Sequence, residues 1–313
     1  MNIQEKIDNL FSKIFSEKII KKFEKYILYL ASLGFVIHLS IILLNNYNLI
    51  ELSVVGTNLF SNPISALYTP FSFILVYEAF LLIYYIPRSF TTAVGKQYQI
   101  MSLIVIRKIF KDIPLVDLNA NWIENSNNQQ LVFDLVGVLI IFFLIYLFKI
   151  TKERLPIKRV SDKLDRFIAS KKLVSIVLLP TLFAICIMSF VNWFSGIFIE
   201  ETFDENLNNL FFNEFFTILI LADVFILLLS FQYTERYSQL IRNTGFIIST
   251  ILLRLSFSVS GLTSILLIIS GCFLAIYPTT KNVAFISLSN NTCNIYHNIF
   301  YHLIHLQLYY HMF

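Results

Sequence analysis

Charge is scarce in this chain. Only 14% of its 313 residues are Asp, Glu, Lys or Arg, against about a quarter in an ordinary globular domain. That excludes a soluble protein with a charged shell. Cysteine is scarce as well: Cys186, Cys272 and Cys293 stand far apart and form no C-x-x-C pair. A disulfide framework and a thiolate zinc site are excluded, and the three read as small apolar residues. The chain has no G-x-x-x-x-G-K loop, no H-E-x-x-H helix and no G-x-S-x-G elbow. It therefore lacks the usual phosphate cradle, zinc-protease helix and serine-hydrolase turn. No His, Asp or Ser cluster marks a membrane face. We expect no enzyme activity, no cofactor and no metal. Residues 1–25 hold six lysines and no apolar core, so we expect no cleavable signal peptide there.

What is abundant is apolar sequence. Hydrophobic residues make up 57% of the chain, and mean hydropathy is +0.70. Several runs reach the length of about 20 residues that crosses a bilayer. The expected class is an all-α polytopic integral membrane protein. Its net charge of +4 comes from bases flanking apolar runs, where they orient spans. It is no evidence for a nucleic-acid partner.

The chain also echoes itself. Residues 100–110 read IMSLIVIRKIF and residues 247–257 read IISTILLRLSF. Ile, Ser, Ile, Arg and Phe coincide. Upstream of each block an apolar run carries one acid: FSFILVYEAFLL over 71–82 and FTILILADVFIL over 216–227. Glu78 aligns with Asp223, Arg107 with Arg254. We read this as an internal duplication.

About eight transmembrane helices are expected, as two parallel four-helix repeats. Residues 1–25 form an amphipathic helix on the cytoplasmic face. Residues 26–148 form the first repeat, with spans at 26–45, 67–86, 98–116 and 131–148. Residues 149–172 are a basic cytoplasmic segment with nine Lys or Arg, expected to hug anionic lipid headgroups. Residues 173–278 form the second repeat, with spans at 173–199, 211–231, 244–259 and 262–277. Pro180 is expected to kink or break its helix. The third span is the awkward one, because Arg107, Lys108 and Lys111 charge it. It must still cross: residues 112–130 hold no base and residues 149–172 are basic, so an odd number of crossings lies between Arg88 and Asn119. The alternative lays it flat on the inner face. Lys96, Lys108 and Lys111 read as a snorkelling stripe.

The tail, 279–313, is atypical and polar. Four of the five histidines fall in its last 17 residues. On a helix they would spread over about half the circumference at 100° per residue, so they do not converge on one ion. Asn, Tyr and His codons become Ile- or Thr-type codons one base later. A frameshift that replaces a ninth span is therefore our reading of the tail. Stop codons in that frame just after residue 285 would exclude it.

The candidate ion- or substrate-binding residues are Glu78, Arg107, Asp223, Arg254 and His38. Acid and arginine lie equidistant from turns centred near Thr92 and near Tyr237–Gln239, hence at equal depth. A lone charge at the bilayer centre costs a few kcal/mol or more, so each acid should pair with its arginine. His38 is a candidate proton-relay member. Asp134 reads as interfacial. Two functions fit this layout. One is a transporter or channel for an ion or small solute, in the plasma (inner) membrane with its N-terminus cytoplasmic. The other is a non-catalytic scaffold or sensor subunit that recruits a partner through its basic segments. Expected partners are the lipid bilayer and a homo-oligomer or membrane partner.

Overall fold

The computed structural model describes residues 3–47, 63–113, 125–153, 162–198, 207–233, 237–259 and 261–276, with Val116 and Trp122. The tail from residue 277, most of the loop expected outside after the first span, and residues 154–161 lie outside the described residues. Among the described residues the chain is helical and has no strand.

The helices are α1 (Ile3–Ile14), α2 (Glu17–Asn46), α3 (Tyr68–Tyr85), α4 (Phe90–Asp112), α5 (Ser126–Glu153), α6 (Asp162–Phe198), α7 (Leu207–Tyr233) and α8 (Tyr237–Leu255). A shorter apolar helix, α9, covers Leu262–Ile276. A short 3-10 turn, Pro63–Leu67, leads into α3. Side-chain caps mark the starts. The Ser16 hydroxyl accepts the Ile19 N–H at 3.3 Å and separates α2 from α1. Ser89 accepts the Thr92 N–H at 3.3 Å just after Pro87 and Arg88. Asn125 Oδ1 accepts the N–H groups of Asn127 and Asn128 at 2.9 and 3.3 Å, opening α5. Each cap satisfies donors that a helix start leaves unpaired.

Five stretches are long and apolar enough to cross a membrane: Ile3–Asn46, Pro63–Tyr85, Ser126–Thr151, Leu164–Ser189 and Glu214–Tyr233. Their outward faces are apolar. Leu139, Phe143, Val177, Ile187, Leu221 and Leu228 are all more than half exposed. A surface this apolar on several helices suits lipid rather than water. The chain is a membrane protein.

Several boundaries differ from the sequence reading. The first and fifth expected spans begin well before their apolar runs, at Glu17 and Asp162, because the basic flanks continue the helix. Helix α6 runs unbroken through Pro180. The missing proline N–H removes the helical donor to the Ile176 carbonyl. One turn is thereby weakened, but the helix does not end. Helix α1 keeps its amphipathic period but docks on protein. It packs against α6, and just past its end Phe15 is 4% exposed with its ring 5.7 Å from that of Phe80 in α3. Lys172 of α6 holds Asp8 of α1 at 2.8 Å.

Helix α4 is built into the bundle. It packs against α3, α5 and α8, burying Tyr98, Ile100, Met101, Ile104 and Val105. Lys108, expected to snorkel, instead reaches Asp134 of α5 at 3.3 Å. Asp134 also accepts the Gln130 amide at 3.0 Å and is 5% exposed. It is a buried ion-pair partner of Lys108.

Helices α8 and α9 meet through a glycine. A Cβ on Gly271 would stand 3.0 Å from the Ser249 carbonyl oxygen and 3.4 Å from Leu252 Cβ. The first obstacle is helix backbone, which cannot step aside. Gly271→Leu is therefore expected to destabilise the protein by about 1–3 kcal/mol. Thermal unfolding in detergent measures this; an unchanged Tm would remove the close approach from the account.

Candidate functional site

Both acid–arginine pairs form. In the α3–α4 hairpin the Arg107 guanidinium donates to Glu78, and its Nη1 donates to the Phe71 carbonyl at 2.8 Å. In the α7–α8 hairpin Arg254 Nη1 donates to Asp223 Oδ2 at 2.6 Å. The Thr250 hydroxyl donates to the same oxygen at 3.0 Å. Glu78, Asp223 and Arg254 are 2%, 3% and 1% exposed. A second contact recurs with them. The rings of Phe71 and Phe110 lie 5.5 Å apart in one hairpin. Those of Phe216 and Phe257 lie 5.7 Å apart in the other.

The equal-depth arithmetic found the partners but not the turns. Helix α3 ends at Tyr85 and α4 starts at Phe90; α7 ends at Tyr233 and α8 starts at Tyr237. Each acid therefore lies 7 or 10 residues from its helix end, whereas each arginine lies 17 residues into the next helix. At about 1.5 Å per residue the surplus is roughly 10–15 Å. It must be taken up by oblique crossing of the hairpin arms and by the length of the arginine side chain.

The two pairs differ in what surrounds them. Arg107 is closed off by the Phe71 carbonyl of its own hairpin. Arg254 reaches out of its hairpin: its Nη2 donates to Gln97 Oε1 on α4 at 3.1 Å. On the same seam the hydroxyl of Tyr98, the residue after Gln97, bonds the Ser249 hydroxyl. The Asp223–Arg254 pair thus sits where α4 and α8 meet.

Beside it lies a small cavity of about 20 Å³, room for about one water. Gln97, Lys171, Asp223 and Thr250 supply its polar wall; Phe90, Val94, Ile226 and Ile247 are among its apolar lining. Lys171 was not among the residues expected here. It stands in the basic segment at 149–172, yet it is 3% exposed. Its Nζ donates to the Arg88 carbonyl and lies 4.7 and 5.5 Å from the ring centres of Phe90 and Phe167. One signal could have found it: Phe167, Lys171 and Val174 follow helical spacing into the apolar run of α6, so they share a face.

His38 does not join either pair. Its Nδ1 meets the Thr69 hydroxyl at 2.7 Å and ties α2 to the start of α3. Two turns of chain arrive close together there, since a Cβ on Gly34 would stand 2.8 Å from Thr69 Cγ2. Among the described residues no group of three His, Cys, Asp or Glu could hold a metal ion. Comparison with protein-family models, with curated proteins and with solved structures gave no match for this chain.

Proposed function

We propose that this chain is a multi-pass transporter or channel for an ion or small solute, with Asp223 and Arg254 as its working pair. The observation that carries the reading is the position of Arg254. It is shared between Asp223 of its own hairpin and Gln97 of the other. Protonating or solvating Asp223 would free the guanidinium and alter the contact between the two hairpins. Breaking and remaking such a pair is a way to gate a path through the bundle.

The reading includes eight spans in two parallel repeats, in the plasma (inner) membrane with a cytoplasmic N-terminus. Equivalent contacts support the duplication. Glu78–Arg107 with Phe71–Phe110 corresponds, position by position, to Asp223–Arg254 with Phe216–Phe257. In the alignment Gln97 corresponds to Thr244, a shorter side chain with no amide. Among the described residues Arg254 bonds across to Gln97, whereas Arg107 bonds Glu78 and Phe71 of its own hairpin. Glu78–Arg107 then serves chiefly to lock its hairpin.

Flux into liposomes tests the reading, using a panel of labelled cations, anions and protons. Asp223→Asn is expected to lower the rate at least about tenfold, equivalent to about 1.4 kcal/mol in barrier. Glu78→Gln is expected to lower protein yield more than the rate per folded molecule. Full flux from Asp223→Asn would end the proposal. The small volume of the cavity favours a second reading, a scaffold or sensor subunit whose buried charges are structural. A stoichiometric membrane partner on purification, with no flux for any solute, would decide for it.

A further inference from the structure

The cavity beside Asp223 has an unbalanced charge. Arg254 carries a permanent positive charge, and Asp223 already neutralises it at 2.6 Å. Lys171 adds a second positive charge to the same wall. Among the described residues no carboxylate lies within ion-pair distance of its ammonium; the contacts it makes are the Arg88 carbonyl and the faces of Phe90 and Phe167. A carbonyl oxygen and two aromatic faces all favour the charged form of the amine. With Lys171 protonated, the cluster carries one net positive charge inside an apolar lining. Leaving such a charge uncompensated is costly.

A hydrogen-bond donor faces the same space. Arginine can only donate, so the Gln97 side-chain oxygen must be the atom that meets Arg254. That leaves the Gln97 amide nitrogen as a donor that Arg254 does not use, on a residue that lines the cavity. The Asp223 oxygen nearest Arg254 is covered by Arg254 and by Thr250, which weakens its repulsion of a second anion. The volume, about one water, suits a monatomic ion.

We propose that this cavity is a binding site for a halide-sized monovalent anion, held by the Lys171 ammonium and the Gln97 amide between the two hairpins. The inference deepens the transport reading by naming the class of ion, and it rests on that reading only for the claim that the ion moves. Binding stands or falls separately.

The test uses the full-length protein in a neutral detergent and chloride as the probe. The chlorine-35 NMR linewidth is followed during titration with chloride at constant ionic strength, with gluconate as the balancing anion. Saturable broadening that bromide displaces is the expected result. Lys171→Gln is expected to weaken chloride about 10- to 100-fold, the loss of one charge-assisted contact. Absence of saturable broadening in the wild-type protein would overturn the site, whatever the variants do. Broadening that saturates at the wild-type chloride concentration in a folded Lys171→Gln protein would overturn it too. Chloride binding without flux would leave the site standing and end the transport reading. Flux of another solute without chloride binding would do the reverse.

Discussion

Replacing Arg254 by methionine is expected to destabilise the folded chain by about 3–5 kcal/mol. The substitution keeps an unbranched side chain in the space but removes the charge. It strands Asp223, which is 3% exposed and keeps the Thr250 hydroxyl as its other partner. It also leaves Gln97 Oε1 without the donor it meets at 3.1 Å. The sharper expectation concerns the double variant. Adding Asp223→Asn to Arg254→Met removes the stranded charge while keeping the bond to Thr250. Much of the loss should return, because removing both partners of a buried pair costs far less than removing one. Arg254→Lys should fall between. A single ammonium keeps the attraction to Asp223 but has no planar fork to span Asp223 and Gln97 together. Unfolding in detergent, followed by loss of helix, measures all four proteins. An Arg254→Met protein as stable as the wild type would refute the pairing. So would a double variant no better than the single one.

A cysteine placed at Ser126 is expected to label from outside intact cells with an impermeant thiol reagent. The native Cys186, Cys272 and Cys293 are first replaced by serine. The position matters. Asn125 is nearer the centre of the loop, but it caps α5, so replacing it would cost about 1 kcal/mol. Ser126 is exposed and differs from cysteine by one atom. Labelling from outside means that α4 crosses the membrane. The eight-span reading then holds, and Arg107 and Lys108 are charges carried through the bilayer on their partners. Labelling only after the cells are opened means that α4 stays on the inner side. The two hairpins would then have different topologies, and the repeat would lose its directional match. A hydropathy criterion alone does not pass α4 as a span. Its burial against α3, α5 and α8, with Glu78 and Asp134 compensating Arg107 and Lys108, supplies the physical reason for a crossing.

The sequence by itself determined the helices and the partners within each hairpin. Long apolar runs leave no other secondary structure that satisfies the backbone in lipid. An acid and an arginine on adjacent arms of one hairpin have no cheaper way to be buried than together. Glu78–Arg107 and Asp223–Arg254 were legible for that reason, despite an error of several residues in where the turns lie. The basic flanks were harder to read. Hydropathy marks where the apolar run begins, whereas the helix continues upstream through its basic flank, to the Ser16 cap in α2 and to Asp162 in α6.

Only the tertiary structure decided what faces what between the hairpins. Lys171 on the Arg88 carbonyl, Arg254 on Gln97 and Tyr98 on Ser249 join residues 83, 157 and 151 positions apart. The 3.6-residue period says which residues share a helix face, but not which neighbour that face meets. That depends on how each helix is rotated and crossed when all of them pack, a choice settled by the fit of whole surfaces rather than by any local stretch. Lys171 shows the consequence. In sequence it is one base among nine in a segment expected to face headgroups. In the bundle, the packing of α6 on α3 turns it inward to the polar cavity beside Asp223.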